Sequence, residues 1–128
     1  MTKLNSQIED LQKAIARLDE VLKLEKTNVV RDSAIKRFEI VFDLAWKTSK
    51  EYLEQYCNVV CNSPRSCFQE AFRQGLIEHN DFWIEVCKDR NYTAHTYKEF
   101  LADMVYANLP MALENFKKLL EKISVPLK

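Results

Sequence analysis

The sequence predicts an all-α fold: an up-and-down bundle of about five helices around a four-helix-bundle-like core. Three observations carry this expectation. One glycine and three prolines in 128 residues leave little material for the tight turns that sheet folds need. Apolar residues recur at steps of three and four over most of the chain, the period of a helix that buries one face. No segment qualifies as a strand. A chain of this length suits one domain with its own core, so residues 1–128 are read as a single unit.

The first helix is expected from about Thr2 to Lys26, on the stripe Leu4, Ile8, Leu11, Ile15, Leu18 and Val21 or Leu22. Thr27-Asn28 reads as a stop and a new cap. A second helix is expected from about Val29 to Tyr56. Ala34, Phe38, Val41, Ala45 and Tyr52 form one stripe on it, and Ile35, Phe42, Trp46 and Leu53 an adjacent one. A face that wide calls for burial against several neighbours, and its aromatics read as core. Asn58 to Ser63 reads as a loop. Ser63-Pro64 then offers a serine cap followed by a first-turn proline, so a short helix is expected from Pro64 to Gln74. Gly75, the single glycine, stands where a left-handed cap would close it. Asn80-Asp81 opens a fourth helix with Phe82, Trp83, Val86 and Cys87 turned inward, ending near Asn91 or Tyr92.

Thr96-Tyr97-Lys98-Glu99 has the form of a capping box, so the last helix is expected from about Tyr97 to about Ser124. Its apolar face is Leu101, Met104, Val105, Leu109, Leu113, Phe116, Leu120 and Ile123, and Pro110 should bend it. The tail from Val125 to Lys128 is expected to be loose.

Hydrophobic residues make up 47% of the chain and charged residues 30%, with a formal net charge of zero. This is the balance of a soluble globular protein. It argues against a protein that coats nucleic acid by bulk electrostatics but leaves room for a local phosphate site. No apolar run approaches a membrane span, and the start of the chain has no signal-peptide core, so a cytoplasmic protein without membrane contact is expected. Four reduced thiols follow from that compartment. Cys57 and Cys61, spaced i,i+4, invite a metal site with Cys67 or Cys87, but the usual zinc spacing is absent. Buried, inert thiols are the preferred reading, with no metal and no cofactor.

Chemistry concentrates in Arg90-Asn91-Tyr92-Thr93-Ala94-His95-Thr96-Tyr97. An arginine presents a planar fork of donors to phosphate, and a histidine moves protons near neutral pH. With the fourth helix ending near Asn91 or Tyr92, His95 falls in the turn before the last helix, near free backbone N–H groups that attract anions. Asn91, four residues before His95, is placed to orient the imidazole if helical geometry persists. Tyr97 is placed to bring its phenol to the same cleft. The plainer reading gives Arg90 a surface ion pair, His95 a turn and Tyr97 a packing role, and an Arg-x4-His spacing arises often by chance.

At these residues the chain resembles the HEPN superfamily, whose signature is Arg-x4–6-His, often with a polar residue after the arginine and a His-x-Tyr ending. Arg90, Asn91, His95 and Tyr97 fit that form. Further segments are similar to one branch, the nucleotidyltransferase substrate-binding protein family: Arg37-Phe38-Glu39, Phe42 to Lys47, Ser63-Pro64-Arg65, Ala71 to Ile77 and Trp83. The similarity runs from roughly Gln7 to Ile123. Ser49 and Cys67 depart from the pattern, away from the motif.

The resemblance implies a homodimeric helical bundle with a separate partner, a minimal nucleotidyltransferase. It further implies a toxin that acts as a metal-independent endoribonuclease and is neutralised when the partner transfers AMP onto Tyr97. Arg90 and His95 would then be catalytic, Asn91 supporting, and Tyr97 the acceptor. Two other readings stand beside it. One is a non-catalytic subunit that binds a nucleotide or substrate for the partner enzyme. The other is a helical scaffold.

Overall fold

The computed structural model describes residues 2–125, and the expectation for the tail falls mainly on residues 126–128, outside them. Five α-helices follow one another: α1 (Lys3–Leu22), α2 (Asn28–Cys57), α3 (Pro64–Arg73), α4 (Asn80–Tyr92) and α5 (Glu99–Ser124). A 3-10 turn at Thr93–His95 joins α4 to the segment before α5. No strand occurs among the described residues, so the all-α expectation holds.

The long helices α1, α2 and α5 pack on one another. The shorter α3 lies against α2, and α4 against α3 and α5. The whole predicted stripe of α1 is buried, from Leu4 through Ile8, Leu11, Ile15 and Leu18 to Val21. Where the helices meet, aromatic rings run through the core. Phe42 meets Phe68 edge-on at 5.6 Å, Phe68 lies 4.6 Å from Trp83, and Trp83 meets Phe116 edge-on at 5.5 Å. Tilted and edge-on contacts at these separations suit the ring quadrupoles. They join α2, α3, α4 and α5 through one continuous cluster, so the turn after α4 rests on a packed base.

The ends of the helices show local chemistry at work. Thr27 caps α2, its hydroxyl accepting from the Val30 N–H at 3.1 Å. At the start of α3, Ser63 and Ser66 cap each other's backbone N–H groups, with Pro64 at the first helical position. Gly75 has φ +78°. Its N–H donates to the Phe72 carbonyl at 3.1 Å and the Leu76 N–H to the Ala71 carbonyl at 2.9 Å, the two bonds of a Schellman motif.

Several expectations are corrected. Helix α1 stops at Leu22 rather than Lys26, because Leu24 lies off the packed face and is exposed, so no burial rewards another turn. Thr96 does not form a capping box. Its backbone sits at φ −75°, ψ 2° instead of the extended region an N-cap needs, and its hydroxyl donates to the Thr93 carbonyl at 3.3 Å. Helix α5 starts at Glu99, with Lys98 at the cap position and no side-chain cap bond. On α5 the buried face shifts: Met104 is exposed, while Ala102, Ala112 and Leu119 are buried. The cysteines are not four free thiols. The loop after α2 returns to the first turn of α3 and brings the Cα atoms of Cys61 and Cys67 to 5.2 Å, where a disulfide joins them. Cys57 and Cys87 remain free.

Among the described residues no helix is long and apolar enough to cross a membrane.

Candidate functional site

Arg90 lies on the last turn of α4. Its guanidinium is held from two sides. Across the helix pair, Asp43 of α2 accepts from Nε at 3.4 Å and from Nη2 at 3.3 Å. Within the turn, the Thr93 hydroxyl accepts from Nη1 at 2.9 Å and donates to the Arg90 carbonyl at 2.6 Å. Thr93 is itself buried. A guanidinium offers five N–H donors; three are engaged here, and two remain for another acceptor. The ion pair is partly open to solvent, with side-chain exposures of 30% for Arg90 and 43% for Asp43, so its value is positional more than energetic.

Asp43 and Thr93 were not singled out in the sequence. Asp43 is one acid inside the apolar stretch Phe42 to Trp46, and a lone charge in such a run is the kind of signal that marks a partner for a buried-edge cation. Thr93 carries no comparable signal.

His95 and Tyr97 are both exposed. The Tyr97 hydroxyl lies 3.3 Å from His95 Nδ1, and the two rings meet edge to face at 5.8 Å. The contact leaves Nε2 as the imidazole nitrogen open to a substrate. Asn91 does not orient the imidazole by a hydrogen bond, since none joins the two among the described residues; Tyr97 has that place. The reason is the 3-10 turn. It is wound more tightly than the α-helix, so the i,i+4 facing of Asn91 and His95 is lost.

Arg90 and Asn91 line a groove of about 460 Å³ with Phe42, Asp43, Arg65, Ile84, Cys87 and Lys88 among its walls. Thr96 and Tyr97 line a separate hollow with Asp32, Ile35, Lys36 and Glu39. Within one chain, therefore, Arg90 and Asn91 line one concavity and Tyr97 another, and His95 lines neither of the two. The second histidine, His79, lies at the opposite end of α4 in a cavity with Trp83 and Leu119, away from the motif.

The turn is anchored from below by a buried cation. Arg31 of α2 is 3% exposed and bonds Glu99 at 2.6 Å, Asp103 at 3.1 Å and Asp32 at 3.0 Å. Lys26 also reaches Asp103 at 3.1 Å. Lys26 and Arg31 hold the Asp103 carboxyl below the usual carboxylate range, and the Glu99 hydrogen bond keeps Arg31 firmly charged despite burial. This cluster pins the first turn of α5 to α2, directly after the His95–Tyr97 segment. On the other side of Arg90, Asp89 is buried and accepts from the Asn108 amide at 3.3 and 3.1 Å. Burial pushes its carboxyl up to about 6, against the lowering effect of that amide and with a further push from Glu85.

The family model described as nucleotidyltransferase substrate binding protein like matches residues 6–125. The chain is 32% identical over 104 residues to a Haemophilus influenzae protein named probable ribonuclease HepT, covering 75% of this chain and 71% of that protein. A Thermus thermophilus protein of known structure superposes with a TM-score of 0.85 at 32% identity, over 88% of this chain and 98% of the other. A tri-AMPylated Shewanella oneidensis HEPN toxin, solved in complex with an MNT antitoxin, superposes with a TM-score of 0.76 over 98% of this chain and 99% of its own; at 20% identity this is a likeness of fold. With the match running almost from end to end, the chain belongs to the family of nucleotidyltransferase substrate binding protein like proteins.

Proposed function

We propose that this protein is a HEPN-type toxin, a metal-independent endoribonuclease neutralised by AMP transfer to Tyr97 from a partner minimal nucleotidyltransferase. The observation that carries the reading is the pairing of an exposed His95 with the Tyr97 hydroxyl at 3.3 Å, one turn beyond an arginine whose guanidinium is held with donors to spare. The naming of a relative as a probable ribonuclease, and a neighbouring fold solved as an AMP-modified toxin with its antitoxin, support it.

In this reading neutral His95 takes the proton from a ribose 2′-hydroxyl through Nε2. The 2′-oxygen attacks the adjacent phosphorus, the bond from phosphorus to the 5′-oxygen breaks, the departing oxygen takes up the proton carried by the His95 imidazolium, and a 2′,3′-cyclic phosphate remains. Arg90 stabilises the negative charge that grows on the phosphoryl oxygens, using the donors left free by Asp43 and Thr93. Asn91, beside Arg90 in the groove, supports the phosphate rather than the imidazole.

The function calls for a homodimer. Phe100, Met104, Ala107 and Met111 follow one another at helical spacing along α5, all exposed, and the stripe starts three residues after Tyr97. An apolar stripe of this kind suits burial against a second copy. Such a pairing would set two motif turns side by side, so that concavities divided within one chain meet across the interface. In this reading the protein works in the cytoplasm, where it would meet RNA and the partner enzyme.

Tyr97 is 74% exposed, open to a modifying enzyme. AMP there would add bulk and negative charge beside His95 and repel RNA phosphates. The division of Arg90 and Tyr97 between two concavities, neither of them lined by His95, favours a second reading, a subunit that binds nucleotide for its partner without cleaving it.

The test is RNA cleavage by the purified protein in EDTA beside His95→Ala. The expected result is cyclic-phosphate ends with the wild type and at least about a hundredfold slower cleavage with the variant. Equal cleavage by both would remove the reading. Nucleotide binding by calorimetry without turnover would give the binding subunit instead.

A further inference from the structure

The groove beside Arg90 holds more positive charge than the motif accounts for. Its walls carry Arg65, Lys88 and Arg90 against a single carboxylate, Asp43. Two of these cations have partners: Arg90 on Asp43, and Lys88 on the exposed Glu85 at 3.0 Å. Arg65 makes no hydrogen bond or ion pair among the described residues and is exposed.

Its position makes that unusual. Arg65 is the second residue of α3, at the positive end of the helix dipole, where a carboxylate is stabilising and a cation is not. The helix end offers little binding capacity of its own: Pro64 has no N–H, and the Ser66 N–H is already taken by Ser63. An unpaired guanidinium in a locally unfavourable place, facing two more cations across a groove of about 460 Å³, is an arrangement that an incoming anion would complete. The volume suits a nucleotide-sized unit. Cys87, half-buried in the same wall, is a poor nucleophile: burial pushes its thiol up to about 11, with only partial opposition from Arg65. The groove is thus equipped to hold an anion rather than to react through sulfur.

We propose that Arg65 and Lys88 form a subsite for a second phosphate of a single-stranded RNA, next to the phosphate that Arg90 and His95 act on. This rests on the ribonuclease reading and adds to it a strand direction, from the motif turn along α4 toward the start of α3. Arg65 clamps the phosphate with its planar fork, and Lys88 leaves the exposed Glu85 to add a point charge. The subsite sets affinity and register; the motif does the chemistry.

The experiment measures binding of a labelled ten-nucleotide RNA, and separately of AMP, to His95→Ala protein, which leaves the RNA intact. Adding Arg65→Ala and Lys88→Ala should weaken RNA binding about tenfold or more. The slope of log affinity against log salt should fall by about 1.4, since each lost contact to a single strand removes about 0.7. Arg65→Lys should recover part of the loss. Neither residue is buried, so the variants should fold, and circular dichroism checks this. RNA affinity and salt slope unchanged by the substitutions would overturn the subsite. Loss of AMP binding with RNA binding intact would assign the groove to a mononucleotide and also overturn it. Cleavage by the otherwise wild-type chain in EDTA is measured alongside: cleavage that ignores Arg65 and Lys88 defeats only the subsite, whereas a chain that neither binds nor cuts RNA defeats both.

Discussion

Asp43 and Arg90 stand 47 residues apart in sequence and side by side in space, the carboxylate accepting from Nε and Nη2 of the guanidinium at 3.4 and 3.3 Å. The pair ties the middle of α2 to the end of α4, where the motif begins. Because both side chains touch solvent, the pair should matter far more to where the guanidinium points than to whether the chain folds.

Asp43→Asn should therefore change unfolding free energy by no more than about 1 kcal/mol, the range of exposed ion pairs. RNA cleavage should fall about tenfold or more, since Arg90 loses the contact that aims its remaining donors. Urea unfolding beside initial cleavage rates separates the two effects. A large loss of stability with unchanged specific activity would show that the pair is structural.

Tyr97→Phe should leave stability within about 0.5 kcal/mol, as expected for an exposed site. Co-expression with a cognate nucleotidyltransferase should add AMP to the wild type and none to the variant, read by intact mass. The variant should stay toxic in cells that carry the partner. AMP on the variant would place the acceptor elsewhere.

Asp89 predicts a pH signature. Its folded-state carboxyl titrates near 6 against an ordinary value of 3.8, so the folded chain binds this proton more tightly than the unfolded chain. Its contribution to stability is complete below about pH 4 and is lost as pH rises through 6. Asp89→Asn should remove that slope and be more stable at pH 7, by on the order of 1 kcal/mol, less than the full shift implies because water reaches part of the site. Unfolding curves at pH 4, 5, 6 and 7 for both proteins test this; parallel curves would show that Asp89 does not titrate in this window.

The Cys61–Cys67 bridge closes a short loop, so breaking it should cost about 2 kcal/mol of stability by the chain-entropy relation. Reduction with dithiothreitol and Cys61→Ser should give similar losses in urea unfolding. Since the bridge brackets Ser63 to Arg65, RNA affinity should fall more than for Cys57→Ser. No stability change on reduction would mean the bridge does not form in solution.

Much of the fold was legible because it depends on neighbours in sequence. The stripe from Leu4 to Val21, the Thr27 and Ser63 caps and the left-handed Gly75 each follow from residues within a turn or two. The motif was legible for the same reason: Arg90, Asn91, His95 and Tyr97 lie within one short stretch. What failed was the capping box at Thr96, because the 3-10 turn gave that backbone a conformation in which a threonine cannot cap. The outward Met104 and the bridged cysteines failed because burial and sulfur pairing depend on which element arrives opposite.

The amino-acid order by itself determined the helices, most of their ends, the family and the cluster of residues to which we assign the proposed chemistry. Only the tertiary structure decided that Arg90 is held by Asp43, that Tyr97 rather than Asn91 meets His95, that Arg31 pins the start of α5 through Glu99 and Asp103, and that Arg65 and Lys88 share the groove of Arg90. Each of these joins side chains through the packing of separate elements or the particular winding of one turn, and a one-dimensional spacing rule carries neither.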